Sequence, residues 1–169
     1  MGRRRQEWLR GREPRPEVGP PGGPLTELTG DVQRIGWNAA QELLDYAAAH
    51  GNNIAAIVLN PIDQRPQVPT ADASADFLRA IEEVRERWGV ILFLDDVRHG
   101  LRLHPEGSHR LLGLEPDLIA LGKALGNGHS LSALLGTDDL RRSARKILFT
   151  STYMFEAPPM AATIATLDI

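Results

Sequence analysis

The chain has 169 residues, 42% of them hydrophobic and 24% charged. That is enough for one well-buried domain and is ordinary for a globular protein, which excludes a largely disordered one. A net charge of −3 gives no general attraction to nucleic acid or membrane, and with no cysteine there are neither disulfides nor thiolate metal sites.

No apolar run approaches the roughly eighteen residues that a bilayer span requires, so a cytoplasmic protein without a membrane partner is the expectation. Cations are written almost entirely as arginine: seventeen Arg stand against two Lys, Lys123 and Lys146. A lysine in such a chain draws notice, because only a primary amine can form an imine.

Residues 1–30 read as an irregular leader. They hold six arginines and the run Gly19-Pro20-Pro21-Gly22-Gly23-Pro24, which sustains neither helix nor sheet. Glu7, Glu13 and Glu17 are interleaved with the arginines, which favours a solvated segment over a polyanion contact.

From residue 31 the pattern becomes that of a packed domain. Asn38, with Gln41 three residues on, predicts the N-cap of a helix whose face is Ala40, Leu43, Leu44 and Ala47, ended by His50-Gly51. Ile54 to Leu59 is a buried strand, and Asn60 to Pro69 a proline-rich loop. Ser74 to Trp88 is the clearest helix, with Phe77, Ile81, Val84 and Trp88 as its stripe and Gly89 as its stop.

Strands then follow at Val90–Leu94, Asp117–Leu121, Leu131–Leu135 and Ile147–Thr150. Asp138–Lys146 reads as a short helix, and Pro158-Pro159 opens another. Alternation of strands and helices predicts an α/β fold: a mostly parallel sheet with helices on both faces.

Two strand ends carry chemistry. Val90–Leu94 delivers Asp95 and Asp96, and Leu118–Leu121 delivers Lys123 among Gly122, Gly126 and Gly128. In open α/β sheets the carboxyl ends of the strands form the binding crevice, so parallel neighbours would bring an acid and an amine to one edge. That pairing suits pyridoxal phosphate. The amine makes a Schiff base, and the carboxylate keeps the pyridine nitrogen protonated so that the ring accepts electrons. A rival set, Asp95, Asp96, His99 and His104, could hold a divalent ion for hydrolysis. Against it, adjacent strand residues point to opposite faces.

At these residues the sequence resembles class III aminotransferases, the group that includes glutamate-1-semialdehyde aminomutase. L-F-L-D-D-V-R-H-G-L-R is similar to the family's D-E-V-x-T-G-F-R, and P-D-L-I-A-L-G-K-A-L-G-N-G to its P-D-L-x-x-x-G-K-x-x-G-G-G. T-Y-M-F-E-A-P-P-M-A-A-T-I-A-T-L is similar to T-L-S-G-N-P-L-A-M-A-A-G-L-A-T-L, and I-A-A-I-V-L-N-P to I-A-A-V-I-x-E-P. The four lie in order from Trp37 to Ile169.

The resemblance implies a partial large domain of the fold type I pyridoxal-phosphate enzymes over residues 31–169, truncated at both ends. The phosphate loop and stacking aromatic would lie before or around Met1, and a C-terminal domain after Ile169. It implies amino-group transfer by a transaminase or aminomutase, with Lys123 as the Schiff-base lysine and catalytic proton carrier. Asp95 would pair with the ring nitrogen, Val97 pack on the ring face, and Thr152 reach the phosphate of a neighbouring subunit's cofactor. It implies pyridoxal 5'-phosphate as cofactor, no metal, a small amino donor and carbonyl acceptor, and a homodimer at full length.

Departures from the family pattern are Asp96 for glutamate, His99 for threonine, Ser130 for proline, Asn60 for glutamate, and Met154–Ala157 for S-G-N-P. They leave substrate and competence open, and a catalytically inactive remnant or an interaction domain is the alternative.

Overall fold

In the computed structural model, residues 31–63, 71–148, 150, 152 and 154–168 are described; the leader expected over residues 1–30 lies outside them. The described chain forms two compact units, divided between Phe93 and Leu94.

In the first unit, helix α1 (Ala40–His50) is followed by a 3-10 turn (Gly51–Asn53), strand β1 (Ala56–Leu59), a two-stranded ribbon of β2 (Ile62–Asp63) and β3 (Ala71–Asp72), and helix α2 (Ala75–Trp88). The ribbon is antiparallel, Ile62 opposite Asp72, and it occupies part of the stretch read from sequence as loop. Helices α1 and α2 pack against each other. The stripe expected on α2 faces inward at Phe77, Ile81 and Val84, with Ala80 beside them. Each of the three larger side chains contributes about 1.5–3 kcal/mol on burial.

The ends of α2 are set by single residues. Ser74 Oγ accepts from the Phe77 N–H at 3.2 Å, satisfying one of the first-turn donors that no helix can pair internally. Gly89 closes the other end at φ 64°, where a side chain would strain the backbone.

Asn38 does not cap α1; Ala39 holds that position. Instead Asn38 sits at φ 62°, its Oδ1 accepts the Ser74 N–H at 2.7 Å, and its Nδ2 donates to the Asp72 carbonyl at 3.1 Å. Asparagine tolerates the left-handed region and bonds neighbouring backbone, so here it ties the entry of one helix to the entry of the other. Gln41 bonds Asp45 one turn on, at 2.8 Å, rather than reaching back to a cap.

Strand β4 (Ile91–Asp95) carries the chain into the second unit. There follow a short helix α3 (His109–Leu112), strand β5 (Leu118–Leu121), a 3-10 turn (Lys123–Gly126), strand β6 (Ala133–Gly136) and helices α4 (Asp138–Ala144) and α5 (Ala157–Leu167). Four strands form one sheet in the order β1-β4-β5-β6, a mixed and mostly parallel α/β arrangement.

The departure from parallel is β6, which runs antiparallel to β5 with Leu118 opposite Gly136 and Leu121 opposite Ala133. Residues 122–132 contain one 3-10 turn and no helix. They cannot make the crossover that a parallel return demands, so the chain doubles back.

Of the strand expected at Ile147–Thr150, the described residues Ile147, Leu148 and Thr150 form none. Lys146 ends a turn, Leu148 and Thr150 are irregular, and Ile147 and Leu148 are 69% and 91% exposed. A β-rich run becomes a strand only where a neighbouring edge takes up its hydrogen bonds.

The two units differ in how well they bury themselves. Of the described large hydrophobic side chains that are exposed, all lie between Leu103 and Leu167, in the second unit. They include both Leu134 and Leu135, successive residues of β6 and so on its two faces.

Candidate active site

Strand β4 ends at Asp95, whose side chain is half-buried, and the next residue, Asp96, is completely buried. Alternation along the strand separates the two carboxylates, and Asp96 is the one turned into the interior. The Asp96 carboxylate is satisfied there by a single residue. Its Oδ1 accepts from Ser108 Oγ at 2.7 Å and its Oδ2 from the Ser108 N–H at 2.8 Å, and Ser108 is itself buried. The Asp96 carbonyl accepts from Gly100 N–H at 2.8 Å, which closes the 96–100 turn.

That turn lies against the end of β5. A Cβ on Gly100 would stand 2.5 Å from Leu121 Cδ2 and 2.8 Å from the Asp96 carbonyl oxygen, so no side chain fits. A Cβ on Gly122 would stand 3.2 Å from Val97 Cγ1. The residue two past Asp95 thus touches the residue just before Lys123. The carboxyl ends of β4 and β5 lie together, where a crevice in such a sheet is expected.

Lys123 opens the 3-10 turn, and its side chain is exposed. Its φ is 44°, in the left-handed region that a side-chain-bearing residue enters at a cost of about 1–2 kcal/mol. Such strain persists where the surroundings impose it, and it concentrates at functional sites. The turn is closed by Leu125 N–H to Gly122 O at 3.0 Å and His129 N–H to Gly126 O at 2.9 Å, and helix α5 packs against it.

Val97 is half-buried beside Gly122, where an apolar surface meets bare backbone. Thr152 is exposed in the turn ahead of α5. The structure therefore gathers Asp95, Val97 and Lys123 at one edge, and sets Thr152 on the segment leading to the helix that supports the lysine turn.

His99, in the place of the family's threonine, is half-buried in the same turn as Asp96. Burial holds its pKa below the usual 6.5; Asp96 and, more weakly, Asp95 oppose this, while Arg98 and Arg102 add to it. His104 Nδ1 accepts the Glu106 N–H at 3.1 Å, and Asp96 is spent on Ser108. Among the described residues no group of three or more His, Asp or Glu is placed to hold a metal ion, so the hydrolase set is not assembled.

The Asp96–Ser108 pair and the Gly100–Leu121 contact were not foreseen in the sequence. No local pattern joins residues twelve apart across an irregular loop.

The ends of two strands of one α/β sheet thus carry an acid, Asp95, and, just past the next strand, a lysine in the left-handed region, Lys123. A family model described as aminotransferase class-III matches residues 25–169, and the chain belongs to that family. It is 41% identical over 133 residues to an aminopentol aminotransferase of Sphingopyxis macrogoltabida, covering 79% of this chain and 32% of that one. It is 36% identical over 138 residues to a glutamate-1-semialdehyde 2,1-aminomutase of Thermus thermophilus, covering 79% and 31%.

The solved FumI protein of Sphingopyxis sp. MTA144, in its PLP internal aldimine form, superposes with a TM-score of 0.87 at 35% identity over 99% of this chain and 41% of that one. A β-phenylalanine aminotransferase from Variovorax paradoxus superposes at 0.76 with 26% identity, over 99% and 39%. The chain spans about a third of the length of these curated relatives.

Proposed function

We propose that this chain carries the lysine-bearing part of a pyridoxal-phosphate-dependent enzyme of amino-group transfer, a transaminase or an aminomutase. The observation that carries the reading is the contact of Val97 with Gly122, which sets the Asp95 end of β4 beside the Lys123 turn. The cofactor, when bound, supplies an aldehyde that condenses with an amine and a ring that withdraws electrons from the substrate carbon.

The residues present fit it. Lys123, whose side chain is exposed, provides the amine and later carries the proton between donor and acceptor atoms. Asp95 provides the negative charge that keeps a pyridine nitrogen protonated. Val97, half-buried just past the end of β4, offers an apolar side chain to the face of the ring.

To the same reading belong a small amino donor and carbonyl acceptor, a cytoplasmic location, and residues 31–169 as part of a large catalytic domain. So does a homodimer in which Thr152 meets the phosphate held by the partner. Among the described residues no helix is long and apolar enough to cross a membrane.

The described contacts offered to the cofactor are few, and phosphate affinity comes largely from charge-assisted hydrogen bonds. Retention by these 169 residues is therefore weak, and a trapping experiment suits it. The chain is titrated with pyridoxal phosphate, reduced with borohydride and mapped by peptide mass. Label at Lys123 well above Lys146 supports the reading. Equal label at both, or label at Lys146 alone, removes it.

A further inference from the structure

Asp96 is the buried carboxylate of the second unit that the proposed chemistry does not use. A carboxylate taken wholly out of water costs several kcal/mol unless hydrogen bonds replace its hydration. Here both oxygens are satisfied by Ser108, one through the hydroxyl at 2.7 Å and one through the backbone N–H at 2.8 Å. Gly100 makes room for the carboxylate: a Cβ there would stand 3.0 Å from Asp96 Oδ2, while one on Gly107 would meet it at an ordinary contact distance of 3.5 Å. Gly107 is at φ 108°, a conformation that a side chain would resist.

Asp96 follows Asp95 directly, so whatever fixes its position fixes the end of β4. Its own carbonyl closes the turn at Gly100, and Gly100 lies against Leu121, the last residue of β5. Within that turn, Val97 abuts Gly122. The start of α3, the turn after β4 and the end of β5 are thereby held in one knot centred on Asp96.

We infer that Asp96, through Ser108, is a positioning residue that sets the separation of the Asp95 carboxylate from the Lys123 amine. The inference rests on the cofactor reading above. It assigns to Asp96 no contact with the cofactor: the carboxylate is buried with both oxygens bonded to Ser108, and it acts by holding the 95–100 turn against the lysine strand.

The test is the same reductive trapping with pyridoxal phosphate, applied to Asp96→Asn, Ser108→Ala and Ser108→Thr, with Ser74→Ala as a variant weakened at a helix cap of the first unit. Thermal midpoints are recorded for each, and labelling is done well below the lowest of them. The readout is the ratio of label at Lys123 to label at Lys146. A displacement of about an ångström is enough to cost orders of magnitude where two groups must converge. The ratio is therefore expected to fall on the order of tenfold in Asp96→Asn and Ser108→Ala, the same principle setting the scale. Ser108→Thr, which keeps both donors, holds the ratio, and so does Ser74→Ala despite its lower midpoint.

A folded Ser108→Ala chain with the unaltered ratio overturns the inference while leaving the cofactor reading intact, and that variant serves should Asp96→Asn not fold. A drop in Ser74→Ala equal to that in Ser108→Ala also overturns it, since general loosening would then explain both. An unaltered chain with no preference for Lys123 overturns the cofactor reading, and this inference with it.

Discussion

Val97 and Gly122 touch across the ends of two neighbouring strands: a Cβ added to the glycine would stand 3.2 Å from Val97 Cγ1. One residue lies two past the acid, the other one before the amine. The contact converts the position of β4 into the position of Lys123. Because Gly122 has φ −172°, an extended value open to any residue, the tight contact that a side chain there would meet is with Val97.

Gly122→Ala is accordingly expected to be a mild overpacking change, lowering stability by about 1 kcal/mol and reducing cofactor trapping at Lys123. In the double variant with Val97→Ala the added methyl finds space. The loss in Gly122→Ala/Val97→Ala should then be smaller than the sum of the single losses, by about 0.5 kcal/mol or more. Denaturant unfolding of the four chains measures this, and strict additivity would show that the two residues do not share a surface.

His99 predicts a pH dependence. Burial lowers its pKa below 6.5, and Arg98 and Arg102 act the same way, against Asp96 and Asp95. Just below 6.5 the unfolded chain therefore binds more protons than the folded one. The stability tied to this group is complete above 6.5 and declines as pH falls through the window down to the lowered folded value, levelling beneath it. The side chain is partly exposed, so the decline is modest. Urea midpoints between about pH 7.5 and about pH 5.5 should fall more for the unaltered chain than for His99→Gln; parallel curves would mean that the imidazole is solvated equally in both states.

Much of this fold could be read from the sequence where local signals agree with burial. Ser74 and Gly89 mark the ends of α2, and the residues between them have a stripe that nothing contradicts. Asp95 and Lys123 were visible because apolar runs deliver them and because the surrounding motifs keep register with a family. What escaped were relationships set at a distance. Asn38 has the chemistry of an N-cap but spends it on Ser74 and Asp72, thirty-odd residues away. The direction of β6 depends on the lack of a crossover helix in residues 122–132. Ile147 and Leu148 have strand propensity but stand exposed. The buried Asp96–Ser108 pair needed both the strand's alternation and the path of an irregular loop, and neither residue advertises it alone.

The Ser74 cap supplies a stability prediction independent of any cofactor. Its hydroxyl accepts the Phe77 N–H at 3.2 Å, and Phe77 is the first buried residue of α2. Ser74→Ala should cost about 1 kcal/mol, as loss of an N-cap acceptor usually does, whereas Ser74→Asp should keep most of it. Thermal unfolding monitored by helical circular dichroism compares the two. Equal midpoints for Ser74→Ala and the unaltered chain would mean that Asn38, which already grips the Ser74 N–H, holds the helix start by itself.

The strain at Lys123 can be separated from its chemistry. Both Lys123→Ala and Lys123→Gly delete the amine, and both should abolish reductive trapping at that position while Lys146→Ala leaves it unchanged. They differ in backbone. At φ 44° an alanine retains the left-handed penalty of about 1–2 kcal/mol, which glycine escapes. Glycine gives back about 0.5–1 kcal/mol through the greater freedom of its unfolded state. Lys123→Gly should therefore be the more stable of the two by about 0.5–1 kcal/mol, the reverse of the usual order for glycine and alanine in regular structure. Denaturant midpoints for the two chains measure the difference. If Lys123→Ala proved the more stable, the lysine would not be held in a strained turn, and its backbone conformation would carry no functional meaning.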